Sequence, residues 1–220
     1  MSDPAVCPVC RAPSPEPFIK VAGRDYWACS SCLARFLDPA QRPTRDDEYN
    51  HYLTHENDPG DPHYRKFLSK LADRMMLRLE PGMRGLDYGC GPGPALAEML
   101  REAGYEMSLY DPFFYRDRTA LEQTYDFITA TETIEHFHDP AGEFDRLDKM
   151  LKPGGWLGVM TSFQTDDARF ADWHYVKDPT HVVFYRDFTL RTIATLRGWR
   201  CEIPIKDVAL LQKPPASRRG

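Results

Sequence analysis

Residues 86–94 have the sequence LDYGCGPGP, a glycine-rich turn between a short apolar segment and a helix-like one. Gly89, Gly91 and Gly93 permit a sharp turn and let the backbone approach a ligand closely, because they carry no Cβ. Pro94 suits the first turn of a following helix. A turn of this kind also occurs as a plain strand-to-helix connection, so its surroundings must decide between the two interpretations.

Strand-like and helix-like segments alternate along most of the chain. Short apolar runs predict strands over 84–88, 105–110, 125–130 and 156–161, and apolar spacings of three and four predict helices over 63–79, 94–103, 141–151 and 188–196. This alternation predicts an α/β fold with a mostly parallel sheet. Two further strand-like segments, 199–205 and 208–212, predict an antiparallel C-terminal hairpin at one edge of the sheet.

An acidic residue ends the strand that follows the glycine turn. Asp111 stands 18 residues beyond Gly93, and a carboxylate at this position can accept hydrogen bonds from both ribose hydroxyls of an adenosine ligand. Dinucleotide-dependent dehydrogenases use such an acid too. Their fingerprint, however, is G-x-G-x-x-G, whereas the spacing here is G-x-G-x-G.

Three blocks in the expected order resemble the class I S-adenosylmethionine-dependent methyltransferases, of types 11 and 23. The blocks are residues 86–93, 125–137 and 151–156, and the resemblance covers about residues 81–212. It implies a Rossmann-like fold and S-adenosylmethionine as the methyl donor. It also implies that the cofactor-binding residues are Asp87, Tyr88, Gly89, Gly91, Gly93, Thr131 and Glu132, with Asp111 on the ribose.

The stretch after Asp111 departs from the family pattern. Only 14 residues separate Asp111 from Asp126, too few for the helix, third strand and adenine-contact loop that many members carry. We therefore expect the third strand to be short or missing. Phe113 or Phe114 could stack on adenine, and a role in the core or on a surface helix is an equal alternative for either.

Four cysteines form two pairs near the N-terminus, in the pattern C-x2-C-x18-C-x2-C. This spacing lies within the range of structural zinc sites, in which each pair supplies two thiolates to one tetrahedral ion. Because four thiolates fill the coordination sphere, we predict a structural Zn²⁺ in a small zinc-ribbon module, with a hairpin at 18–21 and 26–28. The predicted ligands are Cys7, Cys10, Cys29 and Cys32.

We predict three parts: a zinc-ribbon module over 1–42, a linker and helical segment over 43–80, and the methyltransferase domain over 81–220. The polar residues around His51 and His55, with Pro59 and Gly60 after them, predict a loop in the linker. The N-terminus lacks a basic region followed by an apolar one, and no segment approaches about 18 uninterrupted apolar residues. We therefore expect a cytoplasmic protein without a membrane partner.

Histidines after the predicted strands are the candidates for catalysis. The sulfonium methyl is already activated, so the protein has to position the nucleophile and remove a proton where the acceptor needs it. Imidazole can accept a proton at neutral pH. We expect His181 to be the general base, with His174 as the second candidate and His136, beside the cofactor pocket, as the third. For each of them the alternative is an ordinary structural role in a cap, the core or an ordered loop.

Methyl transfer to a small-molecule acceptor is the leading hypothesis, and the sequence leaves the accepting atom open among oxygen, nitrogen, carbon and sulfur. A second hypothesis is RNA or DNA methylation with the zinc ribbon as a recognition module. A net charge of −5 and the absence of an Asn/Asp-Pro-Pro-Tyr/Phe motif after the fourth strand argue against a nucleic-acid partner. A third hypothesis is a non-catalytic nucleotide-binding protein. The oligomeric state does not follow from the sequence.

Overall fold

The N-terminal segment forms a small antiparallel sheet in the computed structural model, which describes residues 4–54 and 58–216. Its first strands are β1 (Glu16–Val21), β2 (Arg24–Ala28) and β3 (Arg35–Leu37). β1 and β2 form the predicted hairpin, which turns through Ala22 and Gly23 with φ angles of +48° and +84°. Glycine adopts such a φ without steric cost, and this accounts for its place in the turn.

Two helices follow, where the sequence predicted a polar linker and one helix. α1 (Arg45–Tyr52) begins after Thr44, whose side chain accepts a hydrogen bond from the Asp47 backbone N–H, while the Asp47 carboxylate accepts one from the Thr44 backbone N–H. The predicted loop around His51 is therefore wrong, because this capping box satisfies backbone donors that a polar sequence would otherwise leave to water. His55 lies outside the described residues. α2 (Pro62–Met76) is the predicted amphipathic helix.

The rest of the chain alternates as predicted. Six strands form one sheet, in the order β5-β4-β6-β7-β10-β9, with parallel pairing among the first four and antiparallel pairing of β10 with both β7 and β9. The mostly parallel sheet and the C-terminal hairpin are thus confirmed. The elements are β4 (Arg84–Tyr88), α3 (Ala95–Glu102), β5 (Glu106–Tyr110), β6 (Tyr125–Thr131), α4 (Pro140–Met150), β7 (Leu151–Met160), β8 (Val183–Phe184), α5 (Asp187–Leu196), β9 (Arg200–Ile205) and β10 (Val208–Gln212).

The sheet ends at β5, as the short stretch after Asp111 led us to expect. Between Asp111 and Tyr125, a segment described throughout, the backbone forms a turn and a short 3₁₀ helix at Arg118–Glu122 but no strand. The third strand of the family pattern is therefore missing. The turn after β5 accordingly lies at the edge of the sheet.

Helices cover both faces of the sheet, because neighbouring strand residues point to opposite sides. Phe127 packs with α2 and α3, whereas Ile128 belongs to the larger core that α4 and α5 complete. Gly158 allows α2 to approach closely, since a Cβ there would lie 2.5 Å from the sulfur of Met75. The carboxyl ends of β4, β5 and β6 are left open between these layers.

The short strand β8 joins the N-terminal sheet, whose order is β1-β2-β3-β8. Arg35 pairs with Phe184 and Phe36 with Val183. The cysteine-bearing segment is thus hydrogen-bonded to a strand that lies two residues beyond His181. Among the residues that the structure describes, no helix is both long and apolar enough to cross a bilayer.

Candidate active site

One cavity of about 820 Å³ opens at the carboxyl ends of β4, β5 and β6. An open α/β sheet binds its ligands at this edge, and the volume lies within the roughly 300–1,000 Å³ of small-molecule sites. The structure brings together here all eight residues that the sequence analysis gave to the cofactor. They are Asp87, Tyr88, Gly89, Gly91, Gly93, Asp111, Thr131 and Glu132.

The glycine loop is held tightly at the end of β4. Gly89 and Gly91 have φ angles of +76° and +64°, which favour glycine. The backbone N–H groups of Gly89 and Cys90 both donate to the carbonyl of Tyr110, at 2.8 and 3.3 Å. A Cβ at Gly89 would lie only 2.2 Å from Cγ2 of Thr133. The loop is therefore fixed between the ends of β5 and β6, with its backbone against the cavity.

Asp111 ties the glycine loop to the turn after β5. Its Oδ2 accepts a hydrogen bond from the Gly91 N–H at 3.0 Å, and its Oδ1 accepts from the N–H groups of Phe113 and Phe114 at 2.8 and 3.0 Å. A carboxylate has about four acceptor positions, so one remains for a ligand hydroxyl. The side chain thus positions both walls of the cavity besides offering an acceptor to it.

Asp87 is a buried carboxylate at the base of the cavity. The hydroxyl of Thr129 donates to its Oδ1 at 2.9 Å, yet burial outweighs this bond and raises the pKa of Asp87 to about 6. A buried anion is costly unless it is paired, so the position suits a cationic group of a ligand.

The helix α1 forms a third wall, which the sequence analysis missed. Arg45 donates to the carbonyl of Pro112 at 2.9 Å, and the Phe113 ring lies between Tyr49 and Tyr52, at centroid distances of 6.0 and 5.3 Å. The Thr44–Asp47 capping pair was the available signal for this helix. Its contacts with the turn after β5 depend on tertiary structure and carry no sequence pattern.

Two of the three predicted histidines line the cavity together. The rings of His136 and His181 have a centroid distance of 4.8 Å. His174 lies elsewhere, in a separate cavity of about 350 Å³ beside Trp173 and Asp172. The structure therefore brings His136 and His181 to the cavity that the glycine loop lines and does not bring His174 there.

Hydrogen bonds define the protonation pattern of the two cavity histidines. Nδ1 of His136 lies 3.0 Å from the Thr180 carbonyl oxygen, and Nδ1 of His181 lies 2.7 Å from the Tyr175 carbonyl oxygen. A carbonyl can only accept, so each Nδ1 carries the hydrogen, and Nε2 is the basic nitrogen of each neutral ring.

Two carboxyl groups meet at the end of β6. The Tyr175 hydroxyl hydrogen-bonds to Glu135 and lies 3.1 Å from Oε2 of Glu132. Burial raises the pKa of Glu132 to about 7 and raises that of Glu135 well above its ordinary value. Glu132 also has a φ of +47°. This backbone conformation is unfavourable for residues other than glycine, and residues that adopt it are often found at functional sites.

Asp178 connects α1 with the loop before β8, which carries His181. Its Oδ2 lies 3.1 Å from Nε2 of His51 and 3.8 Å from Nε2 of His181. Burial would raise the pKa of Asp178, but the electrostatic interaction with His181 and hydrogen bonds from Thr180 and His51 outweigh it and hold that pKa well below its ordinary value. The negatively charged carboxylate of Asp178 therefore lies beside the imidazoles of His51 and His181.

The four cysteines form a second cluster, away from the cavity. Their sulfur atoms all lie within 4.8 Å of one another, and the closest pairs, Cys7–Cys32 and Cys10–Cys29, are 3.7 and 3.6 Å apart. Sulfurs around a tetrahedral Zn²⁺ at 2.3 Å would be about 3.8 Å apart, so the set fits this ion.

Comparisons with known proteins agree on one family. A family model described as Methyltransferase domain matches residues 61–202, well over half of the chain. The Ubiquinone biosynthesis O-methyltransferase of Xanthomonas oryzae pv. oryzae is 30% identical over 179 residues, which cover 66% of this chain and 74% of the relative.

Solved structures share the fold. The 1,6-didemethyltoxoflavin-N1-methyltransferase of Burkholderia thailandensis has a TM-score of 0.55 at 16% identity, with 90% of this chain and 99% of that one covered. A SAM-dependent methyltransferase from Archaeoglobus fulgidus has a TM-score of 0.51 at 17% identity, covering 68% and 94%. With the family model and the curated relative, the conclusion is that this chain belongs to the methyltransferase-domain family and is an S-adenosylmethionine-dependent methyltransferase.

Proposed function

We propose that the protein transfers the methyl group of S-adenosylmethionine to a hydroxyl oxygen of a small, aromatic acceptor. The observation that carries this proposal is that one cavity contains both the glycine loop and the pair His136 and His181. The aromatic rings of Tyr52, Tyr64 and Phe137 also line it, which favours a flat apolar acceptor. The name of the 30% identical relative, an O-methyltransferase, favours oxygen among the accepting atoms.

The proposed cofactor contacts follow from the geometry of the loop. The buried Asp87 carboxylate would pair with the methionine ammonium group, and the glycine loop would face the adenosyl part with its backbone. Asp111 would accept from the ribose at its remaining position, and the adenine would lie beside Phe113 or Phe114. Tyr88, Thr131 and Glu132 complete the lining of this end.

The transfer requires little covalent chemistry from the protein. The acceptor hydroxyl loses its proton, and an oxygen electron pair forms a bond to the methyl carbon as the carbon–sulfur bond breaks, leaving S-adenosylhomocysteine. His136 and His181 would activate this oxygen through Nε2, either as proton acceptors or as ligands of an ion that lowers the pKa of the hydroxyl.

We further propose that the four cysteines hold a structural Zn²⁺, since the donor set and spacing fit a tetrahedral site without an open position. Thiolates used in this way belong to a reducing compartment, and this supports the cytoplasm as the place of action. The net charge of −5 supports a small molecule over a nucleic acid as acceptor.

Calorimetry and methyl labelling test the proposal. The protein should bind S-adenosylmethionine and not NAD, and with labelled methyl donor it should label hydroxylated aromatic compounds but not bulk RNA. His181→Ala should lower the transfer rate at least about 100-fold, whereas His63→Ala, on the exposed start of α2, is the matched histidine control. Failure to bind S-adenosylmethionine would overturn the cofactor assignment, and label in RNA alone would overturn the acceptor class.

A further inference from the structure

Three side chains of types that can bind a metal ion converge beside the cavity, two of which, His136 and His181, line it. A carboxylate oxygen of Glu135 and one ring nitrogen each of His136 and His181 lie within 4.8 Å of one another. Glu135 and His136 follow β6, whereas His181 comes from the loop before β8. The fold thus joins one buried carboxylate and two imidazoles from distant parts of the chain, at the wall of the cavity that the two histidines form.

Glu135 has a buried oxygen that lacks a hydrogen-bond partner among the described residues. The side chain is fully buried, and while Oε1 bonds to the Tyr175 hydroxyl, no donor within residues 4–54 and 58–216 reaches Oε2. Nearly all buried polar atoms in proteins are hydrogen-bonded, since an unpaired one loses its interaction with water without a replacement. An unpaired carboxylate oxygen beside two histidines indicates that a bound group completes the site.

The two histidines are held in the orientation of metal ligands. Each Nδ1–H donates to a backbone carbonyl, of Thr180 for His136 and of Tyr175 for His181. Metal-ligating histidines commonly donate their second nitrogen to a carbonyl or carboxylate, which fixes the tautomer and the ring. In each ring Nε2 is therefore the nitrogen that can bind an ion.

We infer that Glu135, His136 and His181 bind one divalent first-row transition metal ion, of the kind that Mn²⁺, Fe²⁺ and Zn²⁺ represent. Two imidazoles and one carboxylate suit these ions better than Mg²⁺ or Ca²⁺, which prefer oxygen alone. Bonds of about 2.0–2.2 Å would place the donors about 3.3–3.6 Å apart around a tetrahedral ion, so a pair at the 4.8 Å limit would close by about 1.2–1.5 Å. Asp178, 3.8 Å from Nε2 of His181, adds negative charge that favours a cation.

Three protein ligands leave open positions for the acceptor, unlike the four-cysteine cluster. This role rests on the proposed function. Bound to the ion, the acceptor oxygen would have a lowered pKa and release its proton to water. Its electron pair would then form the carbon–oxygen bond as the carbon–sulfur bond breaks. The histidines would accordingly act as ligands, and the ion would replace a general base.

Mn²⁺ binding, read from the electron paramagnetic resonance signal of free Mn²⁺, tests the site apart from catalysis. The protein is first treated with a mild chelator, and its zinc content is measured, because a hard ion such as Mn²⁺ competes poorly for thiolates. We expect one Mn²⁺ per chain. His181→Ala and Glu135→Gln should each weaken its binding at least tenfold, and His63→Ala should bind as the native protein does.

Zinc content and far-ultraviolet circular dichroism show whether each variant is folded, and His136→Ala replaces any variant that is not. Absence of Mn²⁺ binding, or equal binding by the native protein and all folded variants, would overturn the site. Calorimetry with S-adenosylmethionine separates the two proposals. Cofactor binding without Mn²⁺ binding would leave the proposed function and remove the ion, whereas Mn²⁺ binding without cofactor binding would do the reverse.

Discussion

Burial makes the carboxylate of Asp87 costly to the cofactor-free protein. Its pKa is raised to about 6 from an ordinary value of 3.8, so folding favours the protonated form. The unfolded chain loses this proton at lower pH than the folded one, and the folded state therefore loses stability as the pH rises from about 4 to about 6. Above this window the full cost, on the order of 3 kcal/mol, remains.

Asp87→Asn should therefore stabilise the cofactor-free protein, by about 1–2 kcal/mol at pH 8 and by about 1 kcal/mol less at pH 5. The variant should also lose at least about tenfold in affinity for S-adenosylmethionine, because the amide cannot pair with an ammonium group. Urea denaturation at both pH values and calorimetry measure the two effects. Asp117→Asn is the control, since hydrogen bonds from Thr119 lower the pKa of this exposed carboxyl. Equal stability changes at pH 5 and pH 8 would refute the account.

Two features require glycine at position 89: its positive φ and the close approach of Thr133. A matched substitution at a second glycine separates them. Gly89 and Gly104 both have positive φ, +76° and +93°, but a Cβ at Gly104 would meet nothing within 4 Å. Both alanine variants should lose about 1–2 kcal/mol through backbone strain. Only Gly89→Ala should also lose cofactor affinity, by at least about tenfold, because Thr133 would be pushed away from the loop. Thermal denaturation and calorimetry test this, and parallel losses in both variants would contradict it.

At the scale of elements, α1 is a short and lightly buried wall of the cavity. Its one buried residue is Glu48, and it is eight residues long. Isolated helices of this length are marginal, so α1 depends on its contacts with Phe113 and His136 through Tyr52. Elements of this kind open locally at low free-energy cost.

A ligand in the cavity should stabilise α1. We expect amide hydrogen exchange in residues 45–52 to slow at least tenfold when S-adenosylhomocysteine binds, because the ligand would hold the Phe113 turn against the helix. Tyr52→Ala should remove most of this protection, whereas Leu53→Ala, on the exposed end of the same helix, should keep it. Amide hydrogen exchange measured by mass spectrometry tests this prediction, and the exchange rate of α4 serves as the internal reference. Unchanged exchange in α1 on ligand binding would show that the helix is independent of the site.

The elements differ in how far the sequence could predict them. The central strands and the helices that cover them were predictable, because their apolar residues recur with a period that burial imposes. α1 was not predictable from apolar periodicity, since its residues are polar and its partners lie on the turn after β5; only the Thr44–Asp47 capping pair marks it. β3 and β8, of three and two residues, are too short to show any period. The separation of His174 from His181 depends on short 3₁₀ turns whose geometry no spacing reveals.

At the scale of the whole molecule, hydrogen bonds link the cysteine cluster to the histidine side of the cavity, the wall that His136 and His181 form. Leu37, on β3, donates its N–H to the carbonyl of Val182 at 2.9 Å, and Val182 donates to the carbonyl of Glu135 at 2.9 Å. Thr189 on α5 donates to the carbonyl of Cys32 at 2.8 Å. The spacing of the four cysteines predicted that they would cluster, but this connection arises only because β8 completes the N-terminal sheet.

The glycine loop has a different support. It is held by β4, by the Tyr110 carbonyl and by Thr133, none of which belongs to the N-terminal sheet. Loss of the proposed zinc should therefore affect the two ends of the cavity unequally. The loop should keep its conformation, whereas His181 and Glu135 should lose the strand pairing that positions them.

Cys10→Ser should consequently lower the rate of methyl transfer at least about tenfold, while the Kd for S-adenosylmethionine changes less than about threefold. The melting temperature should fall as well, because a structural zinc contributes directly to folding. Cys201→Ser, on the edge strand β9, is the matched control and should change neither the rate nor the zinc content. Single-turnover kinetics, calorimetry, thermal denaturation and metal analysis give the four readouts. If cofactor binding and transfer fell together, the cluster would support the whole fold rather than the histidine side, and the proposed link through β8 would be wrong.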